Sequence, residues 1–227
     1  MKKIVISLIL FSGILSGQSF LVQKVKGDVK AQVGLNENWT NVKDGSVFNA
    51  NTIVQTGKKS SAEIKIDNQE FILGQSSAVD LSKIKKMSVD DLLLALAMED
   101  MINAPMKKDK TESKNTAVYG AEENGKTIPF INSDDFGIKR LNGAVKLAES
   151  GYDGSSIIFA KETFRKYPDT NLLPPYRIYF ADELYKLGLY REAYDDFSHI
   201  QKLKLNQDQS KKVSNRLDDL GKKLARQ

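Results

Sequence analysis

The stretch Gly120-Ala121-Glu122-Glu123-Asn124-Gly125-Lys126-Thr127 has the residue types and spacing of a phosphate-binding loop, G-x-x-x-x-G-K-[ST]. Such a loop works when a strand leads into it and a helix follows, because backbone N–H groups then wrap the phosphates. Thr116 to Tyr119 can serve as the strand, but Ile128-Pro129-Phe130-Ile131 predicts extended chain where the helix should start. Glu122 and Glu123 would also repel phosphate. The motif is expected to be a chance match. His199 is the only histidine, and zinc needs more nitrogen or sulfur ligands than one imidazole supplies. With Asp195 and Asp196 one turn earlier, it is expected on a solvated helix face.

Carboxylates occur in pairs at Asp90-Asp91, Asp134-Asp135, Asp195-Asp196 and Asp218-Asp219. None has the alternating spacing of a calcium loop. Two carboxylates can also cleave a glycosidic bond, but the fold sets their separation and nothing in the sequence singles out a pair. No G-x-S-x-G elbow accompanies the serines. The absence of cysteine removes disulfides, thiolate ligands and cysteine nucleophiles. The expectation is therefore no catalytic residue, no cofactor and no metal site. Asn38-Trp39-Thr40 matches a glycosylation acceptor, which matters only in a eukaryotic secretory pathway.

The N-terminus bears on where such a protein works. Met1-Lys2-Lys3 precedes an apolar run from Ile4 to Leu15, and small or polar residues follow through Ser16-Gly17-Gln18-Ser19. That order is the pattern of a secretory signal peptide, with cleavage expected after Ser19. Its 12 apolar residues fall short of the roughly 20 that span a bilayer. Cleavage leaves 208 of the 227 residues and lowers the formal net charge from +5 to +3 by removing Lys2 and Lys3. So small a charge argues against nucleic acid as a partner. The basic C-terminal residues, Lys202, Lys204, Lys211, Lys212, Arg216, Lys222, Lys223 and Arg226, are interspersed with Asp208, Asp218 and Asp219 and predict a solvated helix face.

Residues 21–81 predict a series of short strands. Val25, Val29, Ala31 and Val33 alternate with polar residues, the period of a half-buried strand. Asp44-Gly45 predicts a hairpin turn, and Thr56 to Lys59 and Asp67-Asn68 predict further turns. Ala62, Ile64 and Ile66 alternate again, before Phe71-Ile72-Leu73, Val79 and Leu81. Residues 88–103 change to helical spacing, with Ser88 as N-cap and Asp91 completing an acidic capping box. Val89, Leu92, Leu93 and Leu96 share a face that Leu94, Met98, Met101 and Ile102 widen. A helix so apolar on all sides predicts burial against the β-module, a partner-binding helix being the lesser alternative. Residues 104–134 predict a polar linker or closing strand. Helices are predicted at 135–150, 154–167, 174–187, 191–203 and 208–225, with Gly151 and Gly188 where helices stop and Pro168 and Pro174-Pro175 between the second and third.

Two resemblances organise these elements. Gly27-Asp28-Val29, Trp39, Gly45, Ile53, Thr56-Gly57, Ser61-Ala62-Glu63-Ile64, Asp67, Phe71, Leu73 and Val79-Asp80-Leu81 follow an order that resembles the FecR-type periplasmic domain. Thr116-Ala117-Val118-Tyr119-Gly120 resembles the strand that closes many such domains, although Ala121-Glu122-Glu123 replaces the usual continuation. The resemblance implies an exported β-rich module. In its best-known members that module relays an outer-membrane signal to a cytoplasmic sigma factor across a spanning helix. Here three residues precede the apolar core, which places the chain with exported proteins that fuse such domains to other modules. Gly188-x-Tyr190-x-x-Ala193-x-x-x-Phe197 resembles the turn and second helix of a tetratricopeptide repeat. Gly151, Ser156, Ala160 and Tyr167-Pro168-Asp169 occupy comparable places 37 residues upstream. The last helix is expected to cap the array.

The sequence thus predicts an α+β protein with a signal peptide at 1–19. A FecR-like all-β module with one packed helix spans 20–103, and a tetratricopeptide-like helical domain spans 135–227. Tyr176, Tyr179, Phe180, Tyr185, Tyr190, Tyr194 and Phe197 are expected as core. Asp182, Tyr185 and Lys186, on the face formed by the first helix of each repeat, are the candidate partner groove. The function expected is non-catalytic binding or scaffolding in the bacterial periplasm or outside the cell. Its partners would be envelope proteins, or peptidoglycan or another polysaccharide. No nucleic acid is expected, nor any membrane span after cleavage. An envelope signalling regulator and a cell-wall enzyme are the alternatives.

Overall fold

A computed structural model describes residues 18–103, 119–123 and 126–226. The predicted signal peptide therefore lies outside the described residues. Eight strands open the fold: β1 (Ser19–Lys26), β2 (Val29–Val33), β3 (Thr40–Asn41), β4 (Val47–Asn49), β5 (Thr52–Thr56), β6 (Ser61–Ile66), β7 (Gln69–Leu73) and β8 (Ala78–Asp80). They form two antiparallel four-stranded sheets, in the orders β4-β1-β6-β7 and β3-β2-β5-β8.

The alternation of Val25 through Val33 is not one strand. β1 ends at Lys26 and β2 begins in the other sheet, on the far side of Gly27-Asp28. A two-residue turn preserves odd parity, so the sequence pattern runs on through it. Upstream, the parity does change. Phe20 and Val22 are buried, and the register shifts by one residue between Val22 and Lys24. This bulge carries the inward position from even to odd, because one extra residue reverses every later side chain. Asp44-Gly45 also does not form the predicted hairpin, since β3 and β4 belong to different sheets. It is a crossing turn, and Asp44 Oδ1 accepts a 2.7 Å hydrogen bond from Val25 N–H. Asp67-Asn68 does make a two-residue hairpin, with Ile66 paired to Gln69 and Asp67 at positive φ.

Helix α1 (Val89–Asn103) is N-capped by Ser88, whose Oγ accepts from Asp91 N–H at 3.1 Å and donates to Asp91 Oδ2 at 2.7 Å. Strands β9 (Tyr119–Glu123) and β10 (Lys126–Phe130) pair as an antiparallel hairpin. The expected strand at 116–119 thus meets the described residues only at Tyr119. Five helices complete the chain: α2 (Phe136–Glu149), α3 (Asp153–Lys166), α4 (Pro174–Lys186), α5 (Tyr190–Ile200) and α6 (Gln207–Leu224). The α2–α3 and α4–α5 turns repeat one geometry. Gly151 and Gly188 sit at φ 78° and 77°, and the next residue's N–H returns to a carbonyl five residues earlier, Tyr152 to Leu147 and Leu189 to Leu184. This is the Schellman ending, which needs left-handed backbone and so favours glycine.

The predicted boundary between a β half and a helical half is not a boundary in packing. One core takes Phe20, Val22, Val54, Ile64 and Phe71 from the sheets together with Leu141, Val145, Phe159, Tyr176 and Phe180 from the helices. A Cβ added to Gly143 of α2 would lie 1.9 Å from Ala78 O of β8, so the helix rests directly on the strand backbone. The neighbouring Asn142 is buried and donates through Nδ2 to Ser76 O (2.7 Å) and Ile131 O (2.9 Å). Its Oδ1 accepts from the Tyr176 hydroxyl, which in turn accepts from Ile131 N–H at 3.0 Å. Helix α1 also departs from expectation: it packs on α3, and Leu92 and Leu96 join a second core with Ile157, Ile158 and the helices behind them. The β-module is not its neighbour, because α1 leaves the sheets through the loop after Leu81.

Tyr176→Phe leaves Ile131 N–H and the Asn142 carbonyl without that partner, and should cost about 1–3 kcal/mol in urea unfolding. Gly143→Val should cost more, because the strand backbone cannot yield as a side chain can. Burial raises the pKa of Tyr176 well above that of a free phenol. The unfolded chain therefore releases this proton first, and stability should fall as pH rises above about 10, less steeply in Tyr176→Phe. Thermal unfolding across alkaline pH checks both the sign and the assignment.

Candidate functional site

The residues that suggested chemistry are structural in this fold. Gly120 lies in β9 and Lys126 and Thr127 in β10, paired strands of one hairpin, so no helix N-terminus receives a phosphate. His199 is exposed, its Nδ1 2.8 Å from the Asp195 carbonyl. Asp135 caps α2, accepting from Ile138 N–H at 2.9 Å, and Asp134 pairs with Lys58 at 3.1 Å. Asp196 is buried against Lys161 at 2.6 Å and Arg177 at 3.9 Å. No group of three or more His, Asp and Glu residues able to hold a metal ion occurs among the described residues.

Of the predicted partner groove, two residues meet the C-terminal helix. Asp182 is buried in α4, with Arg216 Nε and Lys212 Nζ each 2.7 Å from its carboxylate. Tyr185 donates to Asp219 Oδ2 at 2.7 Å, and the Arg216 guanidinium lies 4.2 Å from its ring centre. The bond to Asp219 raises the Tyr185 pKa. Lys186 instead pairs with Glu183 of its own helix and lies 5.7 Å from the Tyr179 ring. A ligand arriving at Asp182 or Tyr185 must compete with α6. A shallow depression of 380 Å³ on α6 is lined by that helix alone, and Lys212 and Arg216 there are already committed to Asp182.

A different surface stands open. On α1, Leu92, Leu96 and Glu99 are buried, a single stripe at i, i+4 and i+7. The opposite side carries Leu94, Met98, Met101 and Ile102, which are 64%, 56%, 78% and 59% exposed. Beside this row runs a groove of 270 Å³ between α1, α3 and the loop before α1. Met87, Ala95, Met98, Ile102 and Ile158 supply its apolar lining, and Lys83, Glu99 and Glu162 its charged edge. The charges are tied down. Glu99 accepts two bonds from Arg165 of α3, at 2.9 and 3.1 Å, and that bond raises the Arg165 pKa. Glu162 pairs with Lys83 and lies 3.8 Å from Arg140. Arg140 is buried over the Phe159 ring at 4.2 Å, and burial lowers its pKa. Such a surface holds apolar side chains, and methionine suits it because the unbranched thioether adapts to the shape it meets.

The sequence contained this signal, and burial was the wrong reading of it. An α-helix on a surface hides one stripe, so apolar residues on every side leave a second stripe facing water. The charge of Glu99 was no guide, since its partner lies 66 residues away.

Comparison with family models, with curated proteins and with solved structures yields no match for this chain. The mixed α+β architecture, two antiparallel sheets and six helices among the described residues, stands on its own geometry. No helix among them is long and apolar enough to cross a membrane.

The Glu99–Arg165 pair fixes the pose of α1. Glu99→Ala strands a partly buried guanidinium and should cost about 2–4 kcal/mol, reduced from a fully buried pair by the exposure of Arg165. The double variant Glu99→Leu/Arg165→Met should recover most of that loss. Amide exchange should show α1 opening first in the single variant; unchanged protection there would remove the pair from this role.

Proposed function

We propose that this chain is an exported, non-catalytic binding protein of the bacterial envelope, in which a FecR-like β-module and a tetratricopeptide-like array form one frame for a protein-contact surface. The observation that carries the reading is the exposed row Leu94, Met98, Met101 and Ile102 on a helix whose other side is pinned to α3. Large apolar side chains grouped on one surface mark interaction sites more often than chance exposure does. The repeated glycine turns at Gly151 and Gly188 support a repeat of helical hairpins. The apolar N-terminal run after Lys2-Lys3 supports export.

A photoreactive residue placed at Met98 in cells should yield discrete protein adducts in the envelope fraction. Met101→Lys in the same chain should abolish them while leaving its circular dichroism and melting temperature within a few degrees of the parent, since surface changes move stability little. Adducts unaffected by Met101→Lys, or none at all, would remove this face from the function. The N-terminal residue of the exported protein, read by mass spectrometry, should fall within a few positions of Ser19.

A further inference from the structure

We propose that the exposed face of α1 pairs with the same face of a second copy, the two helices antiparallel about a two-fold axis near Met98. The proposal rests on the reading of this face as a contact surface and names the partner. Three features lead to it. Leu94, Met98 and Met101 follow one another at intervals of four and three residues, the spacing of a two-helix seam. Ala95 and Ala97 flank Met98 on either side, and small residues beside a ridge let a second helix come close. The third feature is charge. Asp90 and Asp91, in the first turn, are exposed and make no ion pair among the described residues. The sequence beyond the other end of the helix carries Lys107, Lys108 and Lys110.

A helix acidic at its start, apolar along one face and followed by lysines is complementary to itself when reversed. With Met98 on the axis, Leu94 of each copy meets Ile102 of the other, and Asp90 and Asp91 meet the chain around Lys107 and Lys108. A parallel pairing would set acid beside acid. Two-fold contacts of this isologous kind are the commonest route to a dimer, because each favourable contact is made twice. A bilayer fits the face less well, since membrane-surface helices carry lysine and arginine on their polar side, whereas α1 carries Asp90, Asp91, Glu99 and Asp100. Only four side chains from each copy enter the seam, so the association belongs among weak and transient interfaces.

The chain has no cysteine, which makes a single-cysteine test clean. Purified Met98→Cys protein should form a disulfide-linked dimer under mild oxidation at least tenfold faster than Ile72→Cys, an exposed position on β7. Sedimentation velocity of the unmodified protein should show a reversible monomer–dimer equilibrium at micromolar to submillimolar concentration. Met98→Lys should abolish it. Asp90→Lys/Asp91→Lys should weaken it about tenfold, and adding Lys107→Asp/Lys108→Asp should restore it. A strictly monomeric protein whose Met98→Cys form links no faster than the control would overturn the proposal. So would a dimer that survives Met98→Lys, or one indifferent to the charge reversals. Binding of the monomer to phosphatidylcholine vesicles through Met98 would assign the face to lipid instead and overturn it equally. Failure here leaves a separate readout for the broader reading: photoadducts at Met98 to a different envelope protein would sink self-pairing and retain protein contact, whereas their absence would sink both.

Discussion

The approach of α2 to β8 is the constraint on which the rest of the structure depends. Gly143 lets the helix backbone reach the Ala78 carbonyl, a distance at which no side chain fits. At that separation Asn142 can span from Ser76 in the β region to Ile131 and Tyr176, replacing the water that each of those polar groups gives up. A buried amide in such a position is worth keeping only when all its partners are present, because an unmet group in low dielectric is costly. The contact therefore fixes where the helical array sits on the sheets, not merely that it touches them.

From that joint the positions of the other surfaces follow. α3 is set by α2 through the Gly151 turn, and α1 is set by α3 through Leu92, Leu96 and the Glu99–Arg165 pair. α4 and α5 repeat the α2–α3 hairpin, and α6 closes the array by supplying Arg216 and Lys212 to Asp182 and Asp219 to Tyr185. The two candidate faces therefore differ in kind. The inner face of α4 is closed at Asp182 and Tyr185 by the chain itself, while the outer face of α1 has no covering element among the described residues. That difference, more than residue type, makes α1 the better place to seek a partner.

Much of this was legible in advance. The five C-terminal helices fall within three residues of their predicted ends, because proline, glycine and capping residues punctuate them locally. The Ser88–Asp91 cap and the Asp67-Asn68 hairpin were legible for the same reason. The strand from Val25 to Val33 was misread because a two-residue turn keeps the period that signals a strand. The Asp44-Gly45 hairpin was misread because a turn dipeptide specifies a bend and not the partner of the strand that follows.

The sequence by itself determined the element types, the repeated glycine turns and the lack of any spacing suited to metal or nucleophilic chemistry, since these are properties of near neighbours. Only the tertiary structure decided which sheet each strand joined, that α1 lies on α3, and that Asp182 and Tyr185 meet α6. Those outcomes depend on partners 34 to 66 residues apart. Local periodicity records that a helix is apolar; it does not record which of its sides another helix reaches first. For α1, α3 took the side of Leu92, Leu96 and Glu99, and Leu94, Met98, Met101 and Ile102 were left facing water.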